Sequence, residues 1–291
     1  MGLWQRLFGA ALTLPGAETY GDYRVVEKVS QGRLSTLYRG AHVETGEEVA
    51  IKVLSDYACK VADKLTRKLH KDWEGSRALR LEHRHVVRTI EAVREHGRYY
   101  IVMEFLSGGT LSDLARSHAK SIEGRRIEIM RQAALGLEYI HSQGIIHRDV
   151  CPRNVMLSSY GVAKFIDLGV AAERGDRIRN TGQRTGRPAY MAPELIRTNR
   201  FNDQTDVYAF GVSLYEMATG QRPFKVRDHD PFRALSNILN TDPKRPSQIR
   251  PSISPRLEEI ILTAMALKPK KRFRTMTEVR EALEGVDEGD L

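Results

Sequence analysis

His147-Arg148-Asp149-Val150-Cys151-Pro152-Arg153-Asn154 lies between a helix-like run, residues 127–141 ended by Gly144, and an apolar strand-like run. An Asp and an Asn five positions apart on such a loop divide two tasks. The Asp149 carboxylate accepts a proton from a hydroxyl, and the Asn154 carbonyl oxygen ligates a divalent cation. Downstream, Asp167-Leu168-Gly169 closes the strand-like residues 162–166 and sets a second oxygen ligand at a strand end. Upstream, Val49-Ala50-Ile51-Lys52 sets a cation on a strand just after the hairpin signal Glu44-Thr45-Gly46-Glu47.

Around these residues the chain changes character once. Residues 23–105 read as a small β-rich lobe, with strands at 23–29, 36–43, 48–54, 86–93 and 99–103. Within it, residues 61–80 switch to helical spacing, with Val61, Leu65 and Leu69 facing inward. Ser107-Gly108-Gly109 breaks the pattern, and residues 107–284 form a larger, mostly helical lobe. Helices are expected at 127–141, 205–218, 231–240, 255–266 and 277–284, the second apolar nearly all round as a buried helix is. Residues 242–255 read as a proline-rich loop, residues 1–22 as a short helix or disordered segment, and 285–291 as a frayed acidic tail. The fold class is therefore α+β, one domain over 23–284 with flanking segments.

The 291 residues suffice to bury roughly 75% of the unfolded surface. A net charge of +9 welcomes acidic partners, but no basic stripe interleaved with aromatics appears, so nucleic-acid binding ranks last. Cys59 and Cys151 make no disulfide framework, which points to a reducing, cytoplasmic setting. No run reaches the ~20 apolar residues that span a bilayer. Leu3, Trp4, Leu7, Phe8 and Ala11 follow helical spacing. With Arg6 alone to meet anionic headgroups, packing or disorder of residues 1–14 is favoured over peripheral membrane contact.

From Tyr23 to Ala282 the motifs resemble those of protein kinases. The resemblance implies a bilobal fold, ATP and Mg²⁺ as cofactors, and a protein substrate. It implies that Lys52 binds the α- and β-phosphates and that Glu74 holds Lys52. Asp149 would be the base, with Asn154 and Asp167 on the metal. Leu37 and Ala50 would cover the adenine and Met156 lie beneath it, with the backbones of Glu104 and Leu106 at its edge. Of the Gly-rich loop only Gly32 survives, in Ser30-Gln31-Gly32-Arg33-Leu34-Ser35, so nucleotide binding is expected to persist but weaken. Ala192-Pro193-Glu194 with Arg272, and Asp206 at the head of the buried helix, match the family's structural motifs, which small-molecule kinases lack as an ordered set.

Two positions depart from the family together. Cys151 stands where serine/threonine kinases carry a Lys, and Arg187 stands where that Lys meets a Thr. Losing a charge that stabilises the transferring phosphoryl costs on the order of 10²–10³ in rate. Arg187, and secondly Arg153, are the candidates to replace it. Arg neighbours could also sensitise Cys151 to oxidation, although an inert packing role is favoured. Arginines 174, 177, 179, 184 and 187 surround Thr181 and Thr185, so phosphate on either threonine, with Arg148 in reach, is expected to order the segment. The expected activity is transfer of the ATP γ-phosphoryl group to protein Ser/Thr hydroxyls, autophosphorylation included. A non-catalytic pseudokinase, and tyrosine or dual specificity, remain the alternatives. Substrate and oligomeric state stay open.

Overall fold

The computed structural model describes residues 18–68, 72–95, 97–176, 187–198, 200–224 and 231–291. The chain divides into two compact units, one running to Arg80 and including Arg88–Phe105, the other comprising Leu81–Val87 and Leu106–Leu291.

The first unit is built on a six-stranded sheet in the order β1-β2-β3-β4-β6-β5. Its strands are β1 (Thr19–Tyr20), β2 (Tyr23–Gln31), β3 (Ser35–His42), β4 (Glu48–Leu54), β5 (Thr89–Glu95) and β6 (Arg98–Glu104). Strand alternation decides which side chains meet. Val49 and Ile51 point to a core with Tyr20, Tyr23, Tyr100 and Val102, while Ala50 and Lys52 point to the other face. Leu37 of β3 pairs directly with Lys52, so Leu37, Ala50 and Lys52 share that second face.

The helical part of this unit differs from the expected 61–80. Helix α1 (Asp56–Asp63) starts earlier, because the Ser55 side chain caps it by accepting the Ala58 N–H. That start turns Cys59 and Ala62 inward and leaves Val61 exposed. A π turn, Lys64–Lys68, then shifts the helical phase. Leu69 lies outside the described residues. Trp73 is extended, and α2 (Glu74–Ala78) begins after it. The Trp73 ring packs edge-on against Tyr99 at 4.8 Å. A Cβ on Gly75 would come within 2.3 Å of that ring, so only glycine lets the helix start this close.

The second unit is mostly helical. It contains α3 (Leu111–Arg116), α4 (Arg126–Ser142), α5 (Pro193–Thr198), α6 (Asp203–Thr219), α7 (Pro231–Asn240), α8 (Pro246–Ile249), α9 (Pro255–Ala264) and α10 (Met276–Leu283). Two short antiparallel ladders join them: β7 (Ile145–Ile146) with β10 (Ala172–Glu173), and β8 (Val155–Leu157) with β9 (Ala163–Phe165). Helix α6 is buried almost throughout and forms the axis of the unit. Residues 81–87, read from sequence as part of the β-rich lobe, pack here instead. Val87 N–H donates to Phe165 O and Phe165 N–H to His85 O, and Gly136 of α4 leaves room for the His85 carbonyl.

Two sequence expectations change in this unit. The 242–255 stretch holds the short helix α8 rather than loop alone. The tail is not frayed: Val286 and Leu291 are buried, and a 3₁₀ turn covers Glu288–Asp290. Helix α4 lacks a side-chain cap of its own, and Glu288 Oε1 supplies one by accepting the Ile127 N–H at 2.5 Å.

Candidate active site

In the first unit the site is a buried ion pair. Lys52 Nζ of β4 bonds Glu74 Oε1 at the start of α2, with both side chains about 85% buried (14% and 15% exposed). Trp73 and Gly75 on either side of Glu74 fix where the carboxylate begins. Gly32 lies in the β2–β3 turn, its N–H donating to Ser35 O at 2.8 Å. Ser30 and Ser35 sit inside the two strands, paired with Leu37 and Leu54, and neither has a positive φ. The serines therefore close an unstrained hairpin. At the end of β6, Glu104 donates its N–H to Arg88 O.

In the second unit the quoted loop runs from β7 to a 3₁₀ turn, Pro152–Asn154, and into β8. Gly144, with φ +74°, reverses the chain between α4 and β7. Asn154 is buried, and its Nδ2 donates to both Asp149 O (2.7 Å) and Asp149 Oδ2 (2.8 Å). Both amide protons point at Asp149, which leaves the Asn154 Oδ1 with no hydrogen bond among the described residues. Asn154 O accepts the Ile166 N–H at 3.1 Å, bringing Asp167 beside this turn. Asp167 Oδ1 accepts the Gly169 N–H at 2.9 Å. Among the described residues no three His, Cys, Asp or Glu converge as a metal cluster. One amide oxygen and one carboxylate fit Mg²⁺, which keeps waters and phosphate oxygens as its other ligands. Met156 lies in β8, opposite Lys164, and Leu106 opens this unit as a buried residue.

Arg187 completes the site. Its Nη1 donates to Asp149 Oδ2 at 2.5 Å and to Cys151 Sγ at 3.2 Å, and its backbone N–H reaches Asp149 Oδ1 at 3.2 Å. A small recess in the same unit is lined by Asp149, Arg187, Tyr190 and Met191. Cys151 is 1% exposed, and burial, then Asp149, push its thiol up to about 11 against the opposing pull of Arg187. It is therefore a neutral, inaccessible packing group. Arg153 is exposed on the outer side of the turn, where its charge helps hold Asp113 low after Thr110 and Arg116. It makes no contact with Asp149 among the described residues.

The loop is braced from beneath by Asp206 of α6. Its carboxylate accepts the backbone N–H groups of His147 (2.7 Å) and Arg148 (2.8 Å) and contacts His141 Nε2 at 2.8 Å. Burial alone would raise this carboxyl, but the hydrogen bond to His141, with the surrounding electrostatics and the Arg148 N–H, holds it low. Burial also keeps His147 neutral, and its Nδ1 accepts the Asp149 N–H at 3.3 Å. Arg148 adopts φ +67°, a strained value for a residue with a Cβ, and its guanidinium lies 4.6 Å over the Phe201 ring. Thr181 and Thr185, the expected phosphate acceptors near Arg148, lie outside the described residues.

Glu194 and Arg272 form the anticipated pair, bidentate at 2.7 Å on both arms. Three other contacts escaped the sequence reading. Arg174 bonds Asp203 and the His141 carbonyl, so it does not belong to a free basic loop. His141 joins Asp206, as above. Tyr190 donates its hydroxyl to Glu216. Glu216 is the one charged residue in the apolar run 207–218, and a lone carboxylate in a buried helix signals a polar partner elsewhere.

A protein kinase domain model matches residues 23–283. The chain is 33% identical over 274 residues to the serine/threonine-protein kinase PknB of Mycolicibacterium smegmatis, covering 92% of this chain and 43% of that protein. It is 32% identical over 272 residues to the serine/threonine-protein kinases PknA of Corynebacterium glutamicum, covering 91% and 56%. The chain thus spans about half the length, or less, of these relatives. With a lysine–glutamate pair in one unit and an Asp149–Asn154 loop followed by Asp167 in the other, the chain belongs to the protein kinase family.

Proposed function

We propose that the protein transfers the γ-phosphoryl group of ATP to serine and threonine hydroxyls of protein substrates, itself included. The observation that carries this is the Asp149 carboxylate, which accepts from Asn154 Nδ2 and from the Arg187 N–H, in a loop whose Asn154 carbonyl oxygen bonds the residue before Asp167. The hydroxyl oxygen of the substrate attacks the γ-phosphorus and a new O–P bond forms. The bond from that phosphorus to the β–γ bridging oxygen breaks, and its electron pair leaves with ADP. The hydroxyl proton passes to Asp149 and then to solvent. Lys52, held by Glu74, meets the α- and β-phosphates. Gly32, Leu37, Ala50, the Glu104 and Leu106 backbones, and Met156 meet the rest of the nucleotide. Asn154 and Asp167 would hold Mg²⁺, which neutralises phosphate charge. The serine/threonine names of the relatives support the hydroxyl class.

Two buried, unpaired cysteines support a reducing, cytoplasmic setting for this activity. Among the described residues no helix is long and apolar enough to cross a membrane. Residues 1–14, the candidate for peripheral membrane contact, lie outside the described residues.

One observation favours a second reading, a pseudokinase: the Arg187 guanidinium rests on the base itself. Phosphate transfer from labelled ATP to the protein and to a Ser/Thr peptide library separates the two. Wild type should label both, with phosphoserine or phosphothreonine recovered on hydrolysis. Asp149→Asn and Asp167→Ala should label both at least about 10²-fold less. Equal counts in all three proteins would overturn the enzyme reading.

A further inference from the structure

The base of a phosphotransferase needs a cation close enough to steady it and to meet the phosphoryl group as negative charge builds on its oxygens. Position 151 cannot provide one. Its thiol is buried, neutral at pH 7, and has Asp149 as a neighbour. The cation that reaches Asp149 comes from residue 187 instead. One nitrogen, Nη1, touches Asp149 Oδ2 and Cys151 Sγ, while Nε and Nη2 make no hydrogen bond among the described residues. Burial disfavours the Arg187 charge, while the Asp149 carboxylate, by its charge and its hydrogen bond, and the charge of Asp167 favour it.

The backbone of residue 187 is fixed as well. It is followed by a 3₁₀ turn, Pro188–Tyr190, in which Ala189 is buried and the Tyr190 hydroxyl bonds Glu216 of α6. The guanidinium thus stands on a turn anchored at both of its ends, by Asp149 and by Glu216.

We propose that Arg187 is the phosphoryl-stabilising cation of this enzyme, and that Cys151 is the small uncharged partner that makes room for it. The inference rests on the kinase reading and deepens it. A lysine at 151 would set a second positive charge against the first, so the two positions work as an exchanged pair. Tyr190 and Glu216 are positioning residues, acting through the turn that carries Arg187. Because the cation is borne by this turn and not by the loop of the base, turnover depends on the Tyr190–Glu216 bond.

The full-length protein with Arg187→Ala, Arg187→Gln, Arg187→Lys and Tyr190→Phe is assayed for kcat and for KM of ATP and peptide. Its affinity for Mg·ADP is measured with and without fluoroaluminate, a mimic of the planar transferring phosphoryl. Arg187→Ala should lower kcat by about 10²–10³ and lose a comparable part of the preference for fluoroaluminate, with KM for ATP within about threefold of wild type. Tyr190→Phe should lower kcat by about threefold to tenfold, again with KM unchanged. A kcat for Arg187→Ala within about threefold of wild type, or above it, overturns the proposal, and the second result would make the guanidinium a shield on the base. Should Arg187→Ala fail to fold, Arg187→Lys must exceed Arg187→Gln in kcat by at least about tenfold, and equality overturns it. A wild type with no more transfer than Asp149→Asn removes the kinase reading instead, while the fluoroaluminate preference still reports on Arg187.

Discussion

In each unit the candidate site sets a cation against a carboxylate, and the two pairs are built in opposite senses. In the first unit the working cation, Lys52, sits on a strand and a helix carboxylate, Glu74, holds it, both side chains near 15% exposure. In the second the working group is the carboxylate, Asp149, at 15% exposure, and a half-exposed arginine, Arg187 at 40%, holds it. The lysine–glutamate pair follows the family pattern residue for residue. The Asp149–Arg187 pair reaches a comparable charge balance through an exchanged set of residues. A site of this kind is specified by where charge stands near the reacting atoms, more than by which chain position delivers it.

The contrast breaks most visibly at Asp149. Asp149→Asn removes the proton acceptor while keeping shape, and kcat should fall by about 10²–10⁴ with the melting temperature nearly unchanged. A purely structural pair should show next. Glu194→Ala strands the Arg272 guanidinium, which is fully buried, and should cost about 3 kcal/mol, or a melting point about 6–9 °C lower by calorimetry. In the first unit, Glu74→Gln should be milder, because both partners retain some solvent. A penalty near 2 kcal/mol, about 30-fold, should appear in kcat/KM for ATP.

The smallest effect concerns pH. The Cys151 thiol is raised to about 11 in the folded protein, while the unfolded chain loses this proton near pH 8.5. Its contribution is therefore complete below pH 8.5 and declines as pH rises towards 11. Denaturant titrations at pH 9.5 should show wild type losing about 1 kcal/mol more than Cys151→Ala, each relative to pH 7.5. Equal losses would mean that the thiol is not buried as a neutral group.

Much of this was legible in the sequence, for identifiable reasons. Val49, Ile51 and Lys52 alternate across a strand, so their faces follow from the period alone. The buried run at 205–218 announced α6 because it has no polar side. The Ser55 cap sets the phase of the first helix, and the π turn at Lys64–Lys68 then breaks the 3.6-residue repeat that Val61, Leu65 and Leu69 suggest. The acidic tail reads as frayed from composition, which does not show that α4 lacks a cap that Glu288 supplies from 161 residues away. The joint departure of Arg187 and Cys151 from the family pattern links them in the sequence, whereas the Tyr190–Glu216 anchor joins residues 26 positions apart with no local pattern between them.

The most direct test of the exchanged charge is to reverse it. Four proteins suffice: wild type, Cys151→Lys, Arg187→Thr, and the double variant carrying both substitutions, compared for kcat at saturating ATP and peptide. Arg187→Thr should lose about 10²–10³, Cys151→Lys should be no faster than wild type, and the double variant should return to within about tenfold of wild type. A double variant no faster than Arg187→Thr, or an Arg187→Thr protein as fast as wild type, would contradict the account.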